Sequence, residues 1–485
     1  MSSSWARHAM VSTSSPLAVE AALWALREGG TAMDAALASD AVLGVVQPFS
    51  TSVGGDLFCV VDDGREVHGF NGSGAAPARL TMEMCWAERA QGDGGELTTA
   101  LSDTSALSVT VPGAVDGWAQ LNERFGRLGL PRLLEPSRRL ARDGFPLGAR
   151  AAGAWSRNAH RLRAHSPFPV SVAAGQRFAN PALATTLDAI AAGGCEAHYS
   201  GEWAQIAVAA VQEAGGVLDA GDLAAHRGEW VAPLRGRYRD VEVIQLPPNG
   251  QGAAVLAALA QRDHESPGAA GDPATVVATV RAIRDGMRLA HRLIADPRHA
   301  EIPAFWTGRD TVYTAVVAGG MAVSLISSVF YPFGSGIHAG GAVLQNRGCG
   351  FSLEAGHANV AAPGKRPFHT IIPAMLQRDG GVWSVLGVVG GSMQPQGQVQ
   401  VISHLVDHGA DPQTALDAPR VAWLGGDRVG VEDGFSPAVA AELRNGGFEV
   451  VAAEAMGAGQ VVRCHHDGWL EGGADRRRDG VAFGF

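Results

Sequence analysis

Residues 309–330 read RDTVYTAVVAGGMAVSLISSVF, and the interpretation of the whole chain starts from them. Two runs rich in β-branched and apolar residues flank a Gly-Gly pair, which is typical of a β-hairpin with a two-residue turn. With Gly319 and Gly320 as that turn, counting outward sets Thr311 opposite Ser328 at the open end of the hairpin. Opposed side chains share one face of a sheet with Cβ atoms about 5 Å apart, so the sequence predicts two hydroxyls in contact.

The hairpin alone does not decide what this contact is for. A threonine that faces a serine is a common stabilising pair, and a one-residue slip in register would separate the two side chains. The segment before the hairpin, 297–310, lacks periodicity and contains Pro, Gly and charged residues. That composition predicts an exposed break in the chain directly before Thr311.

The composition limits the class of protein. Of 485 residues, 46% are hydrophobic and 18% charged, which predicts a folded chain with a large core. The formal charge of −10, without an extended basic cluster, argues against a nucleic-acid partner. Five scattered cysteines without metal-ligand spacing predict neither disulfides nor a metal site. The chain shows no signal peptide and no long apolar run, so we expect a soluble cytoplasmic protein without a membrane partner.

Apolar periodicity predicts both helices and strands. Residues 16–46 predict two helices that meet at Gly29 and Gly30, with Thr31 as the cap of the second helix. Residues 56–72 predict a hairpin that turns at Asp63-Gly64. The remaining predictions are mostly helix over 112–195, a strand within 238–252 that stops at two prolines, a helix over about 273–295, strands over 311–391, and a helix over about 394–408.

Six segments together resemble the γ-glutamyltranspeptidase family. They are GGTAMDAALASDAVLGVVQPFSTSVGGDLF (29–58), SVTVPGAVDGW (108–118), FGSGIHAGGAVLQNRGCGFS (333–352), APGKRPFHTIIPAM (362–375), LGVVGGSMQPQGQVQ (386–400) and DHGADPQTALDAPR (407–420). The segments occur in the family's order along nearly the whole chain. They are most similar to the short members that resemble glutathione hydrolases and cephalosporin acylases.

The resemblance implies an N-terminal nucleophile (Ntn) hydrolase of class α+β, built as a four-layer αββα sandwich. It implies self-cleavage between Asp310 and Thr311 into a large subunit (1–310) and a small subunit (311–485) that remain together as one intertwined heterodimeric unit. Thr311 would be the nucleophile, Ser328 the second hydroxyl beside it, and Gly390 and Gly391 the oxyanion hole. No metal and no cofactor are implied.

The implied chemistry is physically reasonable for a threonine. Its hydroxyl is a weak nucleophile until a base removes the proton, and a freed α-amino group on the same residue can act as that base. An α-amino group has a reference pKa of about 7.7–8.0, close to the working pH. The tetrahedral oxyanion that forms on an amide carbon needs backbone N–H donors, which a glycine pair can present at close range.

The sequence departs from the family where a γ-glutamyl group would be held. Ser73 stands where the family has an arginine that clamps the α-carboxylate, and Phe330 stands in place of an asparagine. Gly350 replaces the aspartate that pairs with the α-amino group. His369 and Thr370 replace paired serines. These changes remove most of the charge recognition for a glutamyl head. The segment between Ser352 and Pro363 is also short for the lid loop of some family members, so the sequence predicts an open and less polar acyl pocket.

Two side chains in the altered pocket have alternative interpretations. Arg347 either binds an acyl group that ends in a carboxylate or forms a structural ion pair. His369 either contacts the substrate or is a satisfied polar residue beside the pocket.

Three functional hypotheses follow from the sequence. The first is a self-processing hydrolase of a small-molecule amide, with acyl specificity altered by the missing clamp. The second is a genuine γ-glutamyltransferase or glutathione hydrolase. The third is a catalytically dead homologue that serves as a binding protein, which the joint presence of Thr311, Ser328 and the glycine pair argues against.

Overall fold

The computed structural model describes residues 2–89, 98–163, 166–298, 310–454 and 456–485. Its α-helices are α1 (Pro16–Arg27), α2 (Ala32–Val46), α3 (Met82–Glu88), α4 (Ala114–Phe125), α5 (Leu130–Leu133), α6 (Glu135–Asp143), α7 (Ala149–Asn158), α8 (Pro181–Tyr199), α9 (Glu202–Glu213), α10 (Ala220–Ala224), α11 (Gly252–Asp263), α12 (Pro273–Leu293), α13 (Met393–Asp407), α14 (Pro412–Asp417) and α15 (Pro437–Asn445).

The strands of the described residues are β1 (Ser4–Ala6), β2 (Ala9–Thr13), β3 (Asp56–Asp62), β4 (Val67–Asn71), β5 (Phe145–Pro146), β6 (Arg177–Phe178), β7 (Glu229–Val231), β8 (Leu234–Tyr238), β9 (Val241–Gln245), β10 (Asp310–Ala318), β11 (Met321–Phe330), β12 (His338–Ala339), β13 (Ala342–Val343), β14 (Ala374–Arg378), β15 (Gly381–Val389), β16 (Val421–Trp423), β17 (Arg428–Val431), β18 (Glu449–Ala452), β19 (Ala458–Cys464), β20 (Leu470–Ala474) and β21 (Val481–Gly484).

Two seven-stranded sheets form the centre of the molecule. One has the order β1-β20-β19-β15-β14-β9-β8 and the other β21-β2-β10-β11-β3-β4-β7. Apolar side chains of both sheets, such as Tyr313 and Val385, meet in one buried cluster between them. Helices α1, α2 and α4 cover the outer face of the second sheet, and α11, α12 and α13 cover that of the first. The arrangement is helix, sheet, sheet, helix, which buries both faces of each sheet.

The helical pair at 16–46 forms as its sequence predicts. Thr31 precedes α2, and its hydroxyl accepts the N–H of Asp34 while the Asp34 carboxylate accepts the N–H of Thr31. This reciprocal capping satisfies two donors that the first helical turn leaves open. The hairpin predicted at 56–72 is β3 and β4, and Asp63 and Gly64 lie in its connecting loop.

The β10–β11 hairpin lies in the middle of the second sheet, between β2 and β3. Its ladder runs from Ala318↔Met321 to Val312↔Ser327 and then shifts, so that Asp310 lies opposite Phe330. A β-bulge of this kind re-aims the side chains beside it. Phe330 has a positive φ of 79°, which is unusual for a bulky residue and places the strained backbone at the open end of the hairpin.

The strand predicted within 238–252 is β9, which ends at Gln245, before the two prolines. It begins only at Val241, because Arg239 adopts a positive φ and turns the chain between β8 and β9. The break predicted at 297–310 lies outside the described residues except at 297, 298 and 310. Within the described parts of the chain, we find no helix with both the length and the apolar character that a membrane span requires.

Candidate active site

The β10–β11 hairpin brings the two predicted hydroxyls together. Thr311 Oγ1 donates a hydrogen bond to Ser328 Oγ at 3.3 Å. Ser328 Oγ also accepts the backbone N–H of Phe330 at 2.8 Å, which ties the serine to the strained end of β11. Both hydroxyl residues are buried in the uncut chain. The predicted contact is confirmed, although the hairpin reaches it through a bulge.

Gln394, at the start of α13, makes a further hydrogen bond to Thr311. The Gln394 Oε1 atom accepts the backbone N–H of Ile372 at 3.0 Å, which fixes the orientation of the amide. The Nε2 atom therefore faces Thr311 and donates to its Oγ1 at 3.2 Å. The threonine oxygen accepts one hydrogen bond from an amide and donates one to a serine, so its lone pairs are oriented before any substrate binds.

Glutamines fix the position of α13 on both of its sides. Every second residue from 394 to 400 is a buried glutamine. Gln398 donates to the carbonyl of Ile372 at 2.6 Å, so both backbone groups of Ile372 bind α13. On the other side, Gln396 and Gln400 each bind backbone N–H and C=O groups of β16 through both ends of the amide. These contacts leave the Gln394 side chain little freedom to leave Thr311.

The glycine pair after β15 has backbone geometry that favours glycine. Gly390 has φ 118° and Gly391 has φ 62°, and a Cβ on Gly390 would lie 3.0 Å from the Cα of Gly457. The carbonyl of Gly391 accepts the Nε2 of Gln251 at 3.0 Å and the N–H of Gln394 at 3.1 Å. Among the described residues, no acceptor bonds the N–H groups of the two glycines. Within the described residues, two backbone N–H groups are thus left to donate to a ligand.

A carboxylate and an imidazole form a fully buried pair near the same loop. His369 Nε2 lies 3.0 Å from Asp56 Oδ2, and His369 Nδ1 accepts the N–H of Ile371 at 3.3 Å. The ring proton is therefore on Nε2 and is donated to Asp56. The other carboxylate oxygen accepts donors from three segments of the chain: the backbone N–H groups of Gly74 and Gly113 and the side-chain amide of Gln345.

Burial dominates the protonation of this pair. It raises the pKa of Asp56 to about 7, while the positive charge of Arg347 and the hydrogen-bond donors limit the rise. Burial, with the positive charges of Arg347 and Arg366, holds the pKa of His369 well below its ordinary value. His369 is therefore neutral near pH 7, and both of its ring nitrogens are occupied. The structure supports the interpretation of His369 as a satisfied polar residue.

Arg347 lies against two of the residues that replace the family's polar groups. Its Nη1 donates to Thr370 Oγ1 at 2.9 Å, and its Cζ lies 4.1 Å from the centroid of the Phe330 ring. Burial lowers the pKa of Arg347 to about 10, so the guanidinium remains charged. Phe330 is buried beneath this cation and offers no exposed apolar surface in this structure, and the open and less polar pocket stays a prediction.

Ser73 is also occupied. Its hydroxyl donates to Asn71 Oδ1 at 2.7 Å, and the Asn71 amide donates to Asn249 Oδ1 at 3.0 Å. Asn249 in turn donates to the carbonyl of Pro367 at 2.6 Å. Ser73 therefore supports the segment that carries His369, and it contributes no charge in place of the expected arginine.

Asp56, Gln251 and Gln394 are site residues that sequence reasoning did not assign. Each is a fully buried polar residue, and each binds the backbone of a different segment or another buried side chain. In the sequence they stand inside glycine-rich turns or an apolar helix, as in GGDLF (54–58) and NGQG (249–252). A polar residue at an otherwise buried position was the signal that could have identified them.

Comparisons with known proteins place this geometry in a family. The model of the gamma-glutamyltranspeptidase family matches residues 18–309 and 306–485. The glutathione hydrolase-like YwrD proenzyme of Bacillus subtilis (strain 168) is 35% identical, over 96% of this chain and 97% of its own length. An oxamate amidohydrolase proenzyme of Klebsiella pneumoniae is 34% identical over the full length of both. A crystal structure of a cephalosporin acylase from Bacillus halodurans superimposes with a TM-score of 0.91, 33% identity and coverage of 100% and 97%. The predicted Ntn-hydrolase fold is confirmed.

Proposed function

The chain belongs to the gamma-glutamyltranspeptidase family of enzymes, and we propose that it is a self-processing amide hydrolase with Thr311 as its nucleophile. The observation that carries this proposal is the environment of Thr311 Oγ1. It donates to Ser328 and accepts from Gln394, and the glycine pair, whose N–H groups bond no acceptor in the described parts of the chain, is bound to Gln394 through the Gly391 carbonyl. Nucleophile, orienting groups and oxyanion donors are therefore directly connected.

The first step is cleavage of the chain itself. Thr311 Oγ adds to the carbonyl carbon of Asp310, and collapse of the tetrahedral intermediate breaks the peptide C–N bond. The hydroxyl proton ends on the departing nitrogen, and Asp310 is left as an ester on Thr311 Oγ. Water hydrolyses this ester, which releases the Asp310 carboxylate and leaves Thr311 with a free hydroxyl and a free α-amino group.

The freed α-amino group is the general base for turnover. It accepts the Thr311 hydroxyl proton while Oγ attacks the substrate amide carbon, and the oxyanion binds the N–H groups of Gly390 and Gly391. The leaving amine takes the proton as the C–N bond breaks, and water then hydrolyses the acyl-enzyme ester. No step requires a group beyond these residues, the substrate and water.

The cleavage proposed here yields two fragments, 1–310 and 311–485, that form one heterodimeric unit. Support comes from the relatives named as proenzymes and from the sheets, in which strands of the two fragments alternate. Small-molecule amides are the proposed substrates, because the relatives are named for glutathione, oxamate and cephalosporin.

A γ-glutamyl substrate is the second candidate, favoured by the names of relatives that are glutathione hydrolase proenzymes. The residues of this pocket argue for another acyl group. Ser73 is uncharged and occupied, and Gly350 offers no carboxylate for an α-amino group. The ammonium of a glutamyl group would find no carboxylate partner at Ser73 or Gly350.

Intact mass and N-terminal sequencing of freshly purified protein test the proposal. We expect two fragments, with the smaller one beginning at Thr311. Thr311→Ala should remain a single chain, and Thr311→Ser, which retains a hydroxyl, should be cut more slowly. A wild-type chain that stays uncut under all conditions would overturn the proposal and favour the binding-protein hypothesis.

A further inference from the structure

Arg347 is a buried cation that is only partly bonded. The residue is fully buried, and its Nη1 atom bonds Thr370 Oγ1. Its Nε and Nη2 atoms are buried without a hydrogen-bond partner among the described residues. Within the same part of the chain, no carboxylate lies within 4 Å to form an ion pair with it. An unsatisfied buried N–H of a charged group is costly, so this arrangement requires an explanation.

The two unbonded atoms are the pair that recognises carboxylates. In a guanidinium group, the Nε–H and one terminal N–H point in the same direction and form a planar fork that matches the two oxygens of a carboxylate. Arg298 shows this geometry within the molecule, because its Nε and Nη2 bind the two oxygens of Asp296. On Arg347, the same two atoms have no acceptor in the part of the chain that the structure describes.

The guanidinium of Arg347 is held in place. Phe330 lies 4.1 Å beneath its Cζ, and Thr370 binds the terminal nitrogen outside the fork. A cation–π contact and a hydrogen bond fix the plane of the group without using the carboxylate-binding edge. A ligand would therefore meet a preorganised site and would lose little free energy to ordering it.

Both supports of Arg347 connect directly to the reacting groups. The N–H of Phe330 bonds Ser328 Oγ, which is the hydrogen-bond partner of Thr311. The carbonyl of Thr370 accepts Gln251 Nε2 at 2.7 Å, and the same nitrogen donates to the carbonyl of Gly391 in the oxyanion loop. Arg347 thus borders the site on the hairpin side and on the oxyanion side.

We propose that Arg347 binds the far carboxylate of the acyl group, so that the substrate is the monoamide of a short dicarboxylic acid. This inference rests on the proposed function of Thr311. The acyl group carries no ammonium, because a second cation beside the buried guanidinium would be repelled. Asp56 does not take the place of the ligand, since His369 and three further donors already occupy its two oxygens.

Three p-nitroanilides of equal chain length separate the charges of the acyl group. Glutaryl p-nitroanilide has the far carboxylate, γ-glutamyl p-nitroanilide adds the ammonium, and pentanoyl p-nitroanilide has neither. We expect kcat/KM to be highest for the glutaryl compound. Arg347→Gln should lower that value about 100-fold and lower the pentanoyl value far less, because a buried charge-assisted contact is lost. Arg347→Lys keeps the charge but not the planar pair of donors. Its kcat/KM for glutaryl p-nitroanilide should lie between those of wild type and Arg347→Gln.

A matched control removes a buried guanidinium that is already paired. Arg420 is equally buried and binds Asp475 at 2.6 Å, so Arg420→Gln should not change the ratio of glutaryl to pentanoyl turnover. If Arg347→Gln lowers kcat/KM equally for the glutaryl and the pentanoyl compound, Arg347 is structural and the inference is overturned. It is also overturned if wild-type protein prefers the γ-glutamyl or the pentanoyl compound.

Calorimetric titration with glutarate and with pentanoate decides the inference without turnover. Glutarate should bind wild-type protein about 100-fold more tightly than it binds Arg347→Gln, whereas pentanoate should not distinguish the two. This result would stand even if the mass experiment showed that Thr311 is not the nucleophile, so the two failures can be told apart. Equal binding of glutarate by both proteins would refute the role of Arg347.

Discussion

The two sides of the candidate site differ in charge and in distance along the chain. On the nucleophile side, Thr311 and Ser328 are neutral, lie 17 residues apart in one hairpin, and meet a neutral glutamine amide. On the acyl side, Asp56 and His369 lie 313 residues apart and share the region with a buried guanidinium, and all three groups are fully buried.

This difference separates two tasks within the proposed mechanism. The nucleophile side has to deliver a proton from a hydroxyl, and the base for that step, the α-amino group of Thr311, exists only after cleavage. The acyl side is charged and fixed before cleavage, as expected of groups that bind a substrate or hold the loop that binds it. The predictions below test whether the two sides are separable.

Asp56→Asn should have the largest effect on stability. The asparagine oxygen can still accept the donors of Asp56 Oδ1, but its NH₂ group would face the Nε2–H of His369. Setting two buried donors against each other in this way costs about 1–3 kcal/mol in the free energy of unfolding, measured with urea. Asp62→Asn, at the other end of β3, is the matched control and should cost about 1 kcal/mol or less. Similar losses for both variants would contradict a special role of the acyl side.

Gln394→Ala should act on the nucleophile side alone. The variant loses the donor to Thr311 Oγ1, and we expect self-cleavage and kcat to fall by about 100-fold. Gln394→Glu keeps the acceptor for Ile372 N–H but lacks the N–H that faces Thr311, so it should be equally impaired. Gln400→Ala removes a comparable amide on the other side of α13 and should lower stability while kcat is kept. A fully active Gln394→Glu enzyme would show that the hydrogen bond from the Gln394 amide to Thr311 Oγ1 contributes nothing to catalysis.

His369→Gln should reduce the acid sensitivity of the fold. The pKa of His369 is depressed in the folded state, so the unfolded chain binds the extra proton below about pH 6.5 and stability falls as pH falls. Each pH unit below that value costs up to about 1.4 kcal/mol for this one group. Glutamine keeps a donor toward Asp56 but does not titrate, so the free energy of unfolding of the variant, measured with urea, should rise relative to that of wild type as pH falls from 7 to 4. The exposed His466→Gln serves as control, and an unchanged slope in His369→Gln would refute the assignment.

Thr370→Val should have the smallest effect and should act on the acyl side only. It removes the hydroxyl that holds the Nη1 atom of Arg347 and leaves the carbonyl that binds Gln251. The loss of one hydrogen bond, about 1 kcal/mol, should raise KM for glutaryl p-nitroanilide about fivefold with little change in kcat. Thr370→Ser, which keeps the hydroxyl, should behave like wild type. A fall in kcat for both glutaryl and pentanoyl p-nitroanilide would mean that Thr370 acts on the oxyanion loop instead.

The same contrast explains what the sequence could predict. The contact of Thr311 with Ser328 follows from a turn and from counting residues, because both belong to one local hairpin. The glycine pair could be placed only through the resemblance, since a Gly-Gly dipeptide alone marks a turn. The bulge at Asp310 and the positive φ of Phe330 have no local sequence signal.

The acyl side could not be predicted because its contacts depend on tertiary packing. Nothing near Asp56 in the sequence points to His369, and the Gln394 amide becomes oriented only when Ile372 packs against α13. Arg347 was identified as a candidate, but its empty fork became visible only once its neighbours were placed. Replacement of the family's polar residues predicted a less polar pocket, whereas charged groups, among them Arg347 and Asp56, are buried beside these positions.

The strand order of the second sheet ties together the two fragments of the proposed cleavage. In the sheet β21-β2-β10-β11-β3-β4-β7, the strands β21 and β11 and all of β10 after Asp310 follow the proposed cut, and β2, which precedes it, is hydrogen-bonded between β21 and β10. The two fragments are thus interleaved, and separating them would require opening both ladders of β2. We expect the cut protein to keep the hydrodynamic radius of the uncut one, and isotopically labelled small fragments to exchange between molecules no faster than the whole protein unfolds.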